Sequence, residues 1–412
     1  MNVSEKTFSG ELDKQRFFYY TENPMKGRDD MARKKVERNI SYDEERKKYY
    51  VNFDFGLDPE TGKQVKRSKT YDKLTEARAA LRKHEAARDA GQIVLPKKIT
   101  VAGWLKDWMD NVIRFSRQTT TIYSYQGMID NHIVPALGDI PLQKLTPAQL
   151  QRYYADKIKA GKISANTVRK HHDLMNAAFK VAVKQGILLS NPAAMVEPPI
   201  VKRPDIHYYS LEQLQQLLKL SEGTRLEVLI KLAGLLGLRR EEIMGLTWEH
   251  VDFERKIIKI VEARTMAGKD IIVKDPKTST SMRTLYMPSE IEDILQRERE
   301  KQLYYRRELG DSYQNSGYVF THEDGRPVRP NYASELFTKF IKDNGLPPLT
   351  LHGLRHSFAS IANSKGIPLF DIGKALGHSS TATTSKIYTH LLDVNHADML
   401  KRMWDNKNPP VA

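Results

Sequence analysis

One stretch of the sequence pairs a histidine and an arginine in a way that suits phosphate binding. His352 and Arg355 lie three residues apart in LTLHGLRHSFASIA, residues 349–362, a spacing that places both on one face of a helix. An arginine there can hold two phosphate oxygens at once, and a histidine can donate a further hydrogen bond. The alternative pairs His352 with His356 as metal ligands at positions i and i+4. Because no glutamate adjoins that pair and no third ligand is evident, phosphate binding is favoured.

Three further stretches carry reactive side chains but are weak signals when each is taken alone. Arg239 follows an apolar run, with Glu242 three residues later, and an arginine at that point can be a charge near a helix dipole. Lys277 lies in a polar segment before a basic strand, where a surface lysine of a hairpin is the ordinary explanation. His378 precedes Tyr388 by ten positions, and a tyrosine in such a place is usually a core or rim residue.

The order and spacing of these stretches together resemble the tyrosine recombinase (phage integrase) family. The resemblance covers roughly residues 100–395, and it includes the GLRxxE, HxxRH, LGHSS and YTH patterns of that family. The matched catalytic positions are Arg239, Lys277, His352, Arg355, His378 and the nucleophile Tyr388. Glu242 matches a frequent acidic residue of the family, which we interpret as structural support.

The resemblance implies a site-specific recombinase that breaks and rejoins DNA. Tyr388 would attack a phosphodiester to give a 3′-phosphotyrosyl bond and a free 5′-hydroxyl, with Lys277 as the general acid. The two arginines would neutralise charge that builds in the transition state, and the two histidines would hold the phosphate and tune proton movement. Because the covalent bond keeps the energy of the phosphodiester, no ATP is needed, and we expect no cofactor and no metal.

The resemblance also implies the partners. The substrate would be double-stranded DNA attachment sites, bound by a homotetramer on two paired sites, with an excisionase and a DNA-bending host factor as further candidate partners. Residues 36–95 resemble the arm-binding domain found in integrases of temperate phages and conjugative elements. We therefore expect an integrase of such an element, acting in the cytoplasm of its bacterial host.

Two other functions stay open at this point. One is a related type IB topoisomerase-like enzyme that breaks and rejoins DNA, and the separate module at 36–95 argues against it. The other is a non-catalytic DNA-binding protein with a decayed active site. The complete set of six catalytic positions argues against that second alternative.

Composition agrees with a nucleic-acid partner and excludes several other classes. The 412 residues include 66 Lys and Arg against 51 Asp and Glu, a formal net charge of +15. A chain this basic usually meets a polyanion, although a solvated basic surface is the plainer explanation of charge alone. There is no cysteine, which excludes disulfides, thiolate zinc sites and cysteine nucleophiles. No apolar stretch approaches a membrane span, so no membrane partner is expected.

Periodicity predicts a multidomain α+β chain. Residues 1–35 look like a flexible extension, and 36–95 predict a small three-stranded sheet plus one helix, because Val51, Phe53 and Phe55 alternate with polar residues. Residues 97–190 predict an all-α core-binding bundle, since their apolar residues follow helical spacing. Prolines mark a linker at 191–204. Residues 205–400 predict a mainly α catalytic domain with a small antiparallel sheet.

Overall fold

The computed structural model describes residues 33–58, 61–201, 206–274 and 282–377. The chain divides into two compact units, Met1–Lys202 and Arg203–Ala412. Three of the predicted site residues, Lys277, His378 and Tyr388, lie outside the described residues. So does the helix that the sequence predicts at about 382–393. None of the helices in the described part of the chain is long and apolar enough to cross a membrane.

The first unit begins with an antiparallel sheet that packs on one helix. Its elements are β1 (Arg33–Glu37), β2 (Ile40–Asp43), β3 (Lys48–Leu57), β4 (Gln64–Tyr71) and α1 (Leu74–Asp89), and the strands lie in sequence order. The alternation predicted for β3 is present, since Val51 and Phe53 are fully buried and pack with Ala77 and Ala80 of α1. Burial of this single apolar face holds the helix on the sheet.

The sheet has four strands, so the prediction of three was wrong. The missed strand β1 has the sequence RKKVE and begins within the expected extension 1–35. Among the residues that the structure describes, it pairs with β2 alone, and its middle residues are exposed. What fixes it is polar: the Arg33 guanidinium lies 3.7 Å from the centre of the Tyr50 ring. The sequence of this strand has no apolar alternation. Its basic residues are typical of a solvated extension, and the strand was therefore missed.

The rest of the first unit is helical. Its elements are α2 (Val101–Trp108), α3 (Arg114–Ser116), α4 (Thr119–Met128), α5 (Val134–Leu137), α6 (Pro147–Lys159) and α7 (Ala165–Lys184), with π-helical turns at Met109–Ile113 and Ile129–Ile133 and 3-10 turns at Leu142–Lys144 and Pro192–Met195. Thr100 precedes α2 and accepts a hydrogen bond from the Gly103 amide, and Thr146 forms a capping box with Gln149 at the start of α6. Trp104 and Phe179 are fully buried in the core of these helices.

Helix α7 carries a buried histidine, His171, whose ring faces α6. His171 is fully buried, and its Nδ1 lies 3.0 Å from the Tyr153 hydroxyl. Its ring stacks on that of His132, with 5.1 Å between the ring centres. Burial, followed by the positive charges of His132 and Lys157, lowers the pKa of His171 to about 4. The imidazole is therefore neutral at physiological pH.

The second unit is mainly helical, with two small antiparallel sheets where one was expected. Its elements are α8 (Leu211–Ser221), α9 (Glu227–Leu236), α10 (Arg240–Gly245), β5 (Val251–Asp252), β6 (Ile257–Ile260), β7 (Ala263–Ala267), β8 (Asp270–Lys274), β9 (Arg283–Tyr286), α11 (Ser289–Leu309), α12 (Pro330–Asp343), α13 (Leu351–Ser364) and α14 (Leu369–Leu376), with 3-10 turns at Trp248–His250 and Gly310–Ser312. The strands form the sheets β5-β6-β9 and β7-β8. The prediction missed β7, whose sequence ARTMA carries a buried arginine where an apolar residue is usual; the Arg264 side chain donates to the Val328 carbonyl over 2.7 Å.

The core of this unit determines where α9, α10 and α13 lie. Leu229 and Leu232 of α9 are fully buried in one apolar cluster with Leu354 of α13 and Ile243 of α10. Helix α8 closes part of this core after a capping box formed by Ser210 and Gln213, as predicted. The elements that carry the predicted arginines are thus held by tight apolar packing.

Candidate active site

Helix α13 supplies the predicted histidine and arginine pair. Thr350 starts the helix by accepting a hydrogen bond from the Gly353 amide over 3.0 Å. Arg355, one turn after His352, is only 2% exposed, whereas His352 itself is exposed. The helix therefore anchors its arginine in the protein while the histidine reaches solvent.

The Arg355 guanidinium bonds to the ends of two helices. Its Nη1 donates to the Gly237 carbonyl over 2.7 Å and its Nη2 to the Leu376 carbonyl over 2.6 Å. Gly237 ends α9 and Gly377 ends α14, both in the left-handed conformation. The carbonyls at a helix C-terminus carry partial negative charge, so they bind a cation favourably. The arginine is held by two backbone groups whose positions the core determines.

Arg239 starts α10 instead of merely following α9. Its Nη1 donates to Glu242 Oε1 over 2.6 Å, and its Nη2 lies 3.4 Å from the Gly377 carbonyl. The Arg239 amide also donates to Glu242 Oε2, over 2.9 Å, which completes the first turn of α10. The side chain is about one-quarter exposed, at 25%, so it can reach a bound ligand. The GLRxxE spacing thus folds into a single arginine–glutamate unit.

Arg283 is a residue of this site that the sequence analysis missed. It comes from β9, and its Nη1 and Nη2 donate to Glu242 Oε1 and Oε2 over 3.1 and 2.9 Å. Its Nε donates to the Ala375 carbonyl over 2.7 Å. Three consecutive carbonyls at the end of α14 therefore accept from three arginines. The available signal was Glu242 itself, which we interpreted as structural support, since a carboxylate that becomes buried needs cationic partners.

The charges of the site depress the pKa of its carboxyl group. Glu242 is only 3% exposed, and burial by itself would raise its pKa. The hydrogen bonds and charge of Arg283, followed by the charge of Arg239, outweigh burial and lower the pKa to about 2. The carboxylate is therefore ionised over the whole physiological range, and it ties two arginines together.

The pKa of His352 is also lowered. Desolvation by the protein around the ring is the largest cause, and the positive charge of Arg355 adds to it, while Glu241 opposes. At neutral pH the imidazole is therefore mainly neutral, and it can both accept and donate a hydrogen bond.

The metal-binding alternative gains nothing from the described residues. The rings of His352 and His356 lie edge to face, with 4.8 Å between their centres. No group of three or more potential ligand side chains occurs within residues 33–58, 61–201, 206–274 and 282–377. Lys277, His378 and Tyr388 stay predictions, with His378 directly following Gly377 in the chain.

Comparison with known proteins identifies the family. The phage integrase family model matches residues 208–394, and the model of the phage integrase N-terminal SAM-like domain matches residues 100–158. A tyrosine recombinase XerC-like protein of Caldanaerobacter subterraneus is 29% identical over an alignment of 392 residues that covers 90% of this chain and 99% of that protein. The ICEBs1 integrase of Bacillus subtilis is 26% identical over 365 residues, covering 87% and 97%.

A solved structure shares the fold. The Tn1549 transposon integrase, in complex with a circular intermediate DNA, superposes with a TM-score of 0.63 at 19% identity, covering 74% of this chain and 99% of that one. The residues matched by the phage integrase family model include Arg239, Glu242, His352 and Arg355. In the described structure these residues lie near the end of α14. The chain therefore carries the domains of the phage integrase family, the tyrosine recombinases of site-specific DNA recombination.

Proposed function

We propose that this recombinase integrates and excises a mobile element by cleaving and rejoining DNA attachment sites through Tyr388. The observation that carries the proposal is the pair Arg239 and Arg355, anchored on the adjacent carbonyls of Gly377 and Leu376 with His352 beside them. Two fixed cations next to a neutral imidazole suit a phosphodiester whose charge rises during reaction.

The two arginines contribute through preorganisation. Each guanidinium is held by groups of the protein before DNA arrives, so little reorganisation is needed when charge develops on the phosphate. Removal of one such donor typically lowers the rate by about 10²–10³. His352, being mainly neutral, donates a hydrogen bond to a phosphate oxygen without adding a third full charge.

The bond chemistry exchanges one ester for another. The Tyr388 oxygen bonds to phosphorus, the bond from phosphorus to the 5′ oxygen breaks, and Lys277 gives its proton to that leaving oxygen. His352 and His378 hold the phosphate and assist the loss of the phenol proton. The reverse reaction with a 5′-hydroxyl reseals DNA. Since the number of ester bonds is unchanged, the reaction needs no ATP. In this proposal it also needs no metal, because the arginines supply the positive charge that stabilises the phosphate.

The parts of the chain bind different DNA segments in this proposal. On β4, Lys66, Ser68 and Thr70 are exposed on the same sheet face as Asn52 of β3, and this polar face suits DNA contact. Residues 36–95 would bind distal arm sites, residues 97–190 the core site, and residues 205–400 the scissile phosphate. Four protomers would assemble on two paired sites, with an excisionase and a DNA-bending host factor as partners, in the bacterial cytoplasm.

Trapping of the covalent adduct tests the proposal. On a nicked suicide substrate that releases its short 5′-hydroxyl strand, the wild-type chain should form an adduct that survives denaturing electrophoresis. Tyr388→Phe should abolish this adduct and leave DNA binding nearly unchanged, because the phenyl ring lacks the attacking oxygen. Tyr304→Phe is the matched control, since this tyrosine of α11 is 58% exposed and should keep wild-type adduct formation.

Two outcomes contradict the proposal. An adduct formed by Tyr388→Phe would show that another residue is the nucleophile. A wild-type chain that binds core-site DNA but never forms an adduct would favour the non-catalytic alternative.

A further inference from the structure

Glu242 receives hydrogen bonds from two arginines that reach it from different elements. Arg239 donates to Oε1, and Arg283 donates to both Oε1 and Oε2. One carboxylate oxygen is thus shared, and the second is held by Arg283 and by the backbone amide of Arg239. The same Glu242 carboxylate bonds to both arginines. The orientation of the Arg239 side chain therefore depends on the hydrogen bonds between Glu242 and Arg283.

Arg283 itself has a fixed position. Its side chain is only 7% exposed, against 25% for Arg239, and its Nε is bonded to the Ala375 carbonyl in the last turn of α14. The three groups form a chain that starts at a buried arginine, passes through a buried carboxylate and ends at a partly exposed arginine. Arg239 is the most exposed of the three, and it is the one whose charge matches a family catalytic position.

We infer that Arg283 is a positioning residue for DNA cleavage, which acts on Arg239 through Glu242. The inference rests on the proposed function, in which Arg239 neutralises a non-bridging oxygen of the scissile phosphate. Without Arg283, the carboxylate loses two of its hydrogen bonds and can rotate, and the Arg239 guanidinium moves with it. A displaced donor stabilises the transition state less, even though its charge is still present.

The conservative substitution Arg283→Lys tests geometry separately from charge. The arginine bonds Ala375 through Nε while its two Nη atoms bond both carboxylate oxygens, whereas lysine has a single nitrogen and cannot reproduce this fork. Arg264→Lys is the matched control. Arg264 is also a buried arginine of the same unit, 3% exposed, and donates to the Val328 carbonyl, away from Glu242.

The measurement compares adduct formation on three suicide substrates with the full-length chain. One has the natural phosphate, and the other two are the separated methylphosphonate diastereomers, in each of which a methyl group replaces one non-bridging oxygen. This replacement removes the negative charge that an arginine would neutralise. Arg239→Ala identifies the diastereomer that makes Arg239 dispensable. On the natural phosphate, we expect Arg283→Lys to be slower than wild type by about tenfold or more.

The readout is the rate of each variant on the identified diastereomer divided by its own rate on the natural phosphate. We expect this ratio to be higher for Arg283→Lys than for wild type by about tenfold or more, because no charge is left on that diastereomer for Arg239 to stabilise. Since each variant is compared with itself on different substrates, a smaller folded fraction does not change the ratio. Arg264→Lys should show the wild-type ratio.

The inference is wrong if Arg283→Lys is impaired equally on all three substrates, or is impaired on none. A failure of the proposed function looks different. In that case the wild-type chain forms no adduct, or Arg239→Ala itself shows no preference for either diastereomer.

Discussion

The shared carboxylate of Glu242 gives a quantitative prediction for stability. The pKa of this group falls from 4.5 to about 2 in the folded chain, and each pKa unit corresponds to about 1.4 kcal/mol. Ionised Glu242 should therefore stabilise its unit by about 3 kcal/mol at pH 7. Glu242→Gln removes this contribution and leaves the Arg239 and Arg283 cations close together without a counter-charge.

The sign of the pH dependence follows from the lowered pKa. A carboxyl group whose folded pKa is depressed stabilises the fold above its unfolded pKa, and that contribution is lost as pH falls through the folded value. The difference between wild type and Glu242→Gln should thus be full at pH 7 and should shrink as pH falls from 4.5 toward 2. Glu241→Gln is the control, because it removes the neighbouring charge without touching the two arginines.

Hydrogen exchange measured by mass spectrometry can follow the amides of α9 and α10 in the full-length chain. If these amides exchange by unfolding of the unit, Glu242→Gln should speed their exchange at pH 7 by about 100-fold. At pH 3, over longer labelling times, the difference should be much smaller. Unchanged protection of Glu242→Gln at pH 7, or an undiminished difference at pH 3, would refute the reasoning.

Other features of the chain lead to three further expected outcomes. Gly237→Ala should lower the melting temperature more than Gly345→Ala. Both residues have φ of 64°, so the backbone strain is the same, but a Cβ at 237 would lie 2.6 Å from Leu376 Cδ2 while a Cβ at 345 meets nothing within 4 Å. The helices around His171 should lose stability as pH falls from its ordinary pKa of 6.5 toward 4, measured by hydrogen exchange of α7, because only the unfolded chain takes up the proton in that range. Deletion of residues 1–95 should leave adduct formation on an isolated core site but abolish integration that requires distal arm sites, measured by suicide-substrate and two-site exchange assays; loss of core-site cleavage in a folded truncation would contradict this division.

Local signals predicted much of the fold. The periodicity of the sequence predicts helices at about 288–309 and 368–376, and the structure has them at Ser289–Leu309 and Leu369–Leu376. Such helices can be predicted because apolar periodicity and helix caps are properties of neighbouring residues. Strands β1 and β7 were missed because polar contacts of Arg33 and Arg264 fix them, and these residues have no apolar alternation to recognise.

Part of the candidate site could be predicted as well, by the residue types and by the resemblance to a family. Sequence reasoning could not predict which groups of the site form hydrogen bonds with one another. Arg283 and Glu242 are 41 residues apart, and Arg239 lies 138 residues from the Gly377 carbonyl. Spacing along the chain does not indicate such pairs, because they depend on where the core places β9 and α14. The roles of Lys277, His378 and Tyr388 stay predictions.

The carbonyls at the end of α14 have a consequence for mutational tolerance. The three arginines bond to main-chain oxygens of residues 375–377, and every amino acid supplies such an oxygen. The side chain at position 375 can therefore vary, whereas Leu376 is fully buried and Gly377 ends the helix in the left-handed conformation. An active site anchored on main-chain oxygens depends on where the helix ends more than on which side chains the last turn carries. Its evolutionary constraint falls on the arginines, on Glu242 and on the residues whose packing fixes the end of α14.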